Sequence, residues 1–131
     1  MDITTFDDLL RAARAQARPQ RLLFVFAAAV LPDGATPAQR AAFDAGEGGA
    51  LEPLMCVDKG PGELDGFAAL VDESRQFGRD WQFVFAAAMD DAGSAAADAP
   101  LQRLVSAVRD GRLDGLLPFD RQGHAVALAG A

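Results

Sequence analysis

The chain has 131 residues, a formal net charge of −7, one cysteine, one histidine and no tyrosine. One cysteine makes no internal disulfide, Cys-x-x-Cys pair or thiolate zinc centre, and one histidine makes no H-E-x-x-H pair, so those chemistries are excluded. Nineteen acidic groups against twelve basic ones repel a phosphate backbone, and the lone Trp81 offers no base-stacking platform, so no nucleic-acid partner is expected.

A first helix is expected after Thr5, a natural N-cap, with Asp7 and Asp8 in its first turn. Phe6, Leu9, Leu10, Ala13 and Ala17 fall at helical spacing, and Pro19 ends the pattern. Residues 21–31 read as a strand that is apolar on both sides, with Phe24, Phe26, Ala28 and Val30 alternating against Val25, Ala27, Ala29 and Leu31. Such a strand is central and covered on both faces. Thr36, Pro37 and Gln39 make a capping box with proline at the first helical position, and Gly46, Gly48 and Gly49 stop that short helix. A second strand is expected over 51–57 and a third helix over 63–74, with Leu64, Phe67, Leu70 and Val71 buried. Residues 81–89 read as a third strand and 90–99 as a polar, alanine-rich mobile loop. Asp98 then caps a fourth helix bearing Leu101, Leu104, Val105 and Val108, which Gly111 closes. A fourth strand at 116–119, a turn at 120–123 and a returning edge strand at 124–128 complete the chain.

The segment Phe24-Val25-Phe26-Ala27-Ala28-Ala29 returns unchanged as Phe83-Val84-Phe85-Ala86-Ala87-Ala88. The order helix, strand, helix, strand also occurs twice, which suggests duplicated halves at about 4–60 and 61–128. The fold expected is one α/β (or α+β) domain spanning 1–131, with a mixed sheet of four to five strands, two pseudo-symmetric halves and a C-terminal hairpin. Links long enough for crossover helices make parallel pairs the expectation within each half.

The strings FDDLLRAARAQ, RLLFVFAAAVLP, GALEPLMCVDKGPGELDGFAALV and GLLPFDRQGHAVAL resemble small bacterial proteins that carry the name ribonucleotide reductase subunit alpha. A reductase large subunit is a far longer barrel that uses a thiyl radical and a reducing cysteine pair. One cysteine cannot supply both, so no catalytic residue carries over, and the resemblance implies at most a reductase-associated protein without reductase catalysis. A fainter likeness is to the amino-terminal module of the enhanced-serine-sensitivity proteins.

Cys56 is a candidate reactive thiol with Lys59 nearby, although its apolar neighbours Leu54, Met55 and Val57 suit a quiet buried side chain. Asp58 and Lys59 follow the second strand as Asp120 and Arg121 follow the fourth. With parallel strands, these four would sit at carboxyl-terminal strand ends, where open α/β sheets place ligands; otherwise they serve turns. Gly60-Pro61-Gly62 lacks the spacing of a phosphate loop. His124 is a candidate base or an exposed hairpin residue, and Ser74, Ser94 and Ser106 lack a nucleophile-elbow context. Asp7-Asp8 and Asp90-Asp91 lack EF-hand spacing and read as caps or loop residues rather than metal ligands.

The acidic N-terminus is unlike a secretion signal, and the longest apolar run, 22–31, is about half the roughly 20 residues that cross a bilayer. The expectation is therefore a cytoplasmic protein with no membrane contact and no cofactor. The leading functional expectation is a non-catalytic protein-interaction module acting as a homodimer. Its alternatives are a small-molecule regulatory module using Asp58, Lys59, Asp120 and Arg121, and an enzyme using Cys56 or His124.

Overall fold

The computed structural model describes residues 3–31, 33–45 and 49–127. Helix α1 (Phe6–Arg14) starts at the expected cap. The Thr5 side chain accepts from the Asp8 amide, while the Asp8 carboxylate accepts from the Thr5 amide. Strand β1 (Gln20–Val30) follows, then α2 (Pro37–Asp44) with the Thr36–Gln39 capping box, then β2 (Ala50–Lys59). Helix α3 (Phe67–Arg75) begins later than its apolar spacing suggests. Glu63 is drawn away to accept from the Gly60 amide, and Asp7 of α1 accepts from the Phe67 amide at the start of α3. Strand β3 (Phe83–Asp90), helix α4 (Ser94–Arg109) and strand β4 (Leu117–Phe119) complete the order.

The expected mobile loop at 90–99 is therefore corrected: from Ser94 onward it is helix. Ala95, Ala96 and Ala97 are strong helix formers, and α4 accommodates Pro100 in its interior. The terminal hairpin is reduced to β4 and isolated bridges, Phe119 to Ala125 and Thr5 to His124, rather than a full returning strand. Residues 128–131, where that strand was expected to end, lie outside the described residues.

The sheet has the order β2-β1-β3-β4, and every pair is antiparallel. The parallel pairing expected within each half does not occur. Helix length does not set the direction: sixteen-residue α4, roughly 24 Å long, is long enough to carry the chain back along three-residue β4, yet β3 and β4 are antiparallel.

The two identical segments lie side by side at the centre. Phe24 pairs with Ala86 and Ala27 with Phe83; Val25 pairs with Phe85 and Phe26 with Val84. A half-turn about an axis between the latter two pairs exchanges one segment with the other in register. The likeness weakens outward: α4 buries Ala97, Leu101, Leu104 and Val108, whereas α2 buries nothing, and β2 has ten residues against three in β4.

Both faces of the central strands are covered. Phe24, Phe26, Val84 and Ala86 meet Phe6, Leu9 and Leu10 of α1 and Leu70 of α3, together with Leu64, Trp81 and Phe119. Phe6 is fully buried, with its ring centroid 5.4 Å from Phe24, 5.4 Å from Phe119 and 5.1 Å from Phe67. Trp81 packs edge-on to Phe26 at 5.0 Å, and its indole N–H donates to the Ser74 hydroxyl at 3.0 Å. On the opposite face, Leu23, Val25, Ala27 and Phe85 pack against α4.

Candidate functional site

Arg21 enters the sheet as the only charged side chain between the start of β1 and its apolar run, and it is nearly buried. A buried guanidinium requires partners. Its Nε donates to Asp91 Oδ1 at 2.8 Å and its Nη1 to Asp58 Oδ2 at 2.7 Å, while Glu63 Oε1 lies 3.6 Å away. Asp58 also accepts from Ser94 Oγ at 2.8 Å, and Asp91 from the Gly93 amide at 3.0 Å. The hydrogen bonds from Arg21 and the Gly93 amide hold the Asp91 carboxyl below its ordinary range. The bond to Asp91 raises Arg21 in turn, against the opposing effect of burial. This knot ties β1, the end of β2 and the start of α4 together.

Lys59, the next residue along β2, turns to Glu73 of α3, with Nζ 2.7 Å from Oε2. Asp58 and Lys59 thus act as ties between elements. Asp120 and Arg121 lie elsewhere. Because β2 and β4 are the two outer strands and run in opposite directions, their carboxyl-terminal ends are at opposite edges and opposite ends of the sheet. Asp120 Oδ1 accepts from the amides of Gln122 and His124, closing the turn, and Arg121 lies 5.5 Å over the Trp81 ring. The four polar residues therefore form no common pocket, and the expectation of one between the halves is corrected by the antiparallel topology.

Cys56 is half-buried on β2, facing the α4 side with its strand partner Val25. Burial, with the charges of Asp98 and Asp58, pushes its thiol upward, which disfavours the thiolate a nucleophile needs. His124 is exposed beyond β4, on the far side of the sheet from Cys56, with Nδ1 3.9 Å from Asp120 Oδ2. The acidic pairs are spent on structure. Asp8 is lowered to about 2, first by the Thr4 amide, and Asp90 is lowered by Gln20 and Arg18. Among the described residues no group of three or more histidine, cysteine or carboxylate side chains is arranged to hold a metal ion.

What sequence reasoning missed is the character of β2 as an edge. Nothing among the described residues pairs with its outer side. The other edge, β4, has three residues and is crossed by the Phe119–Ala125 bridge and the Val126 to Pro118 hydrogen bond. In β2, Met55 opposes Phe26 while Pro53 opposes Ala27, so Leu54 is an extra, bulged residue. Proline and a bulge guard the first half of the edge; the run Met55, Cys56 and Val57 beyond them is unguarded. Beside it a shallow depression lies between β2 and α3, lined by Met55, Val57, Leu70, Glu73, Ser74 and Phe77. Phe77 is 57% exposed, the exposed large hydrophobic of the described chain. Proline inside the second strand was the available signal, since proline in a sheet is confined to edges and bulges. A second shallow depression, lined by Leu10, Ala13, Leu22 and Leu64, has the side chains of Arg14 and Lys59 at its rim. Both are engaged, Arg14 by the Leu64 carbonyl and Lys59 by Glu73.

No protein-family model matches the chain, and no curated protein or solved structure is similar enough to count as a match. No helix of the described residues is long and apolar enough to cross a membrane.

Proposed function

We propose that the protein is a non-catalytic interaction module whose contact element is the free edge of β2, with the groove between β2 and α3 beside it. The observation that carries this reading is an edge strand with an apolar central run whose outer side has no pairing partner among the described residues, beside a shallow and mostly apolar depression. Strand addition to such an edge supplies backbone hydrogen bonds, and a flanking groove selects alternate side chains. The non-catalytic half rests on chemistry: Cys56 is disfavoured as a thiolate, His124 is remote from it, and Asp8, Asp58 and Asp91 are engaged in a cap and ion pairs. This agrees with what the reductase-named resemblance implies, an associated protein without its own reductase chemistry. The homodimer expected from the sequence is the competing occupant of this edge.

The test is selection of extended peptides from a random library against the full chain, with counter-selection against Met55→Lys, which places a charge on the groove side of the edge. Enrichment of peptides that bind the wild type and lose binding to M55K supports the reading. No enrichment, or binders indifferent to the substitution, overturns it.

A further inference from the structure

The charges around the β2 edge indicate what it accepts. The apolar run 54–57 is bracketed by negative charge at both ends. At its start, Glu52 is exposed and carries no ion pair among the described residues. At its far end, Arg21 is shared among Asp58, Asp91 and Glu63, one cation for three carboxylates. Lys59 is matched by Glu73 on the groove side. Asp98 on α4 acts on Cys56 from the opposite face and has no ion pair among the described residues. Among the groups just named, six carboxylates stand against two cations. Phe77 adds an exposed aromatic face at the groove, a surface that attracts lysine or arginine.

Resting on the reading above, we infer that the edge takes an extended protein segment with an apolar alternating centre and basic flanks. Strand addition places the apolar side chains of alternate residues against Met55, Val57 and Leu70. The flanking lysines or arginines then meet Glu52 at one end and the carboxylate-rich knot at the other. A second copy of this chain is a poorer occupant. Its own β2 carries Glu52 and Asp58 to the same seam, and the copy brings a net charge of −7. Like charges so juxtaposed disfavour the pairing.

The experiment is a titration of the isotopically labelled full chain, followed through its backbone amides, with three synthetic peptides. One has a valine–threonine alternation between paired lysines, one has the same core between paired glutamates, and one is the chain's own segment 50–59. The expected result is that the lysine-flanked peptide binds at least tenfold more tightly than the glutamate-flanked one at low salt. Amide changes should fall on 54–57 and along α3, and the advantage should largely vanish near 1 M salt, where screening acts within about 3 Å. Glu52→Gln, an exposed change that leaves the fold intact, should reduce the advantage. Equal binding of the lysine- and glutamate-flanked peptides overturns the charge assignment while leaving the edge reading in place. Tighter binding of the 50–59 peptide, or a dimer by sedimentation velocity that competes with the lysine-flanked peptide, assigns the edge to a second copy and overturns the inference. Absence of any amide change at β2 with all three peptides overturns the inference and the edge reading together.

Discussion

Substituting Gly123 by alanine tests how tightly the terminal turn is clamped. Gly123 has φ +82°, and a Cβ there would lie 2.9 Å from Phe67 Cδ2. Its carbonyl accepts from the Phe6 amide at 2.7 Å, so the turn is held against the first residue of α1. A non-glycine residue in the left-handed region costs about 1–2 kcal/mol. Forcing extra volume against a packed ring costs about 1–3 kcal/mol more, so Gly123→Ala should lose about 2–5 kcal/mol. At about 2.1 cal/mol/K per residue, a 131-residue chain loses roughly 4 °C of Tm for each kcal/mol. Gly34→Ala is the control: its φ of +77° carries the same strain, but nothing lies within 4 Å of the new Cβ, so it should lose only about 1–2 kcal/mol. Urea unfolding followed through the single tryptophan, buried Trp81, measures both. Equal losses at the two sites would show that Phe67 yields freely and that the turn is not clamped.

The Asp8 carboxyl is lowered from 3.8 to about 2, so its contribution to stability is present above pH 4 and is lost as pH falls toward 2. The urea midpoint should fall over that window in the wild type and less steeply in Asp8→Asn; parallel profiles would contradict the capping role. Arg21→Lys should weaken the knot nearly as much as Arg21→Met, because one ammonium cannot reproduce the separate Nε and Nη1 bonds to Asp91 and Asp58. Faster amide exchange at 91–94 in both variants is the expected readout, and full rescue by lysine would refute the two-pronged geometry. The Cys56 thiol, pushed upward by burial, should react with a disulfide reagent at pH 7 more slowly in the folded chain than in urea; faster reaction when folded would restore the nucleophile reading.

The element order was legible because its signals are local. The Thr36–Pro37–Gln39 start and the two-sided apolar run of β1 carry their physics within a few residues. Leu64 was rightly placed in the core but wrongly in a helix, since Glu63 is captured by the Gly60 amide. Strand direction was not legible: spacing between strands permitted a crossover in both halves, and even the long α4 joins antiparallel strands. The grouping of Asp58, Lys59, Asp120 and Arg121 failed for the same reason, because matching positions in sequence became opposite corners of an antiparallel sheet. Arg21 carries no local sequence signal, because its partners Asp58 and Asp91 are 37 and 70 residues away.

The matched phenylalanine–alanine segments at the centre carry a hazard during refolding. Because 24–29 and 83–88 have the same residues, β1 of one molecule can zip onto β1 of another with the side-chain neighbours it would find in its own β3. The intramolecular choice must first close a long intervening loop, whose entropic cost grows with the logarithm of its length. Crowding the unfolded chain raises the competing encounter rate without changing that closure, so exchanged, entangled species should grow with concentration during renaturation, and dilution should favour the single chain.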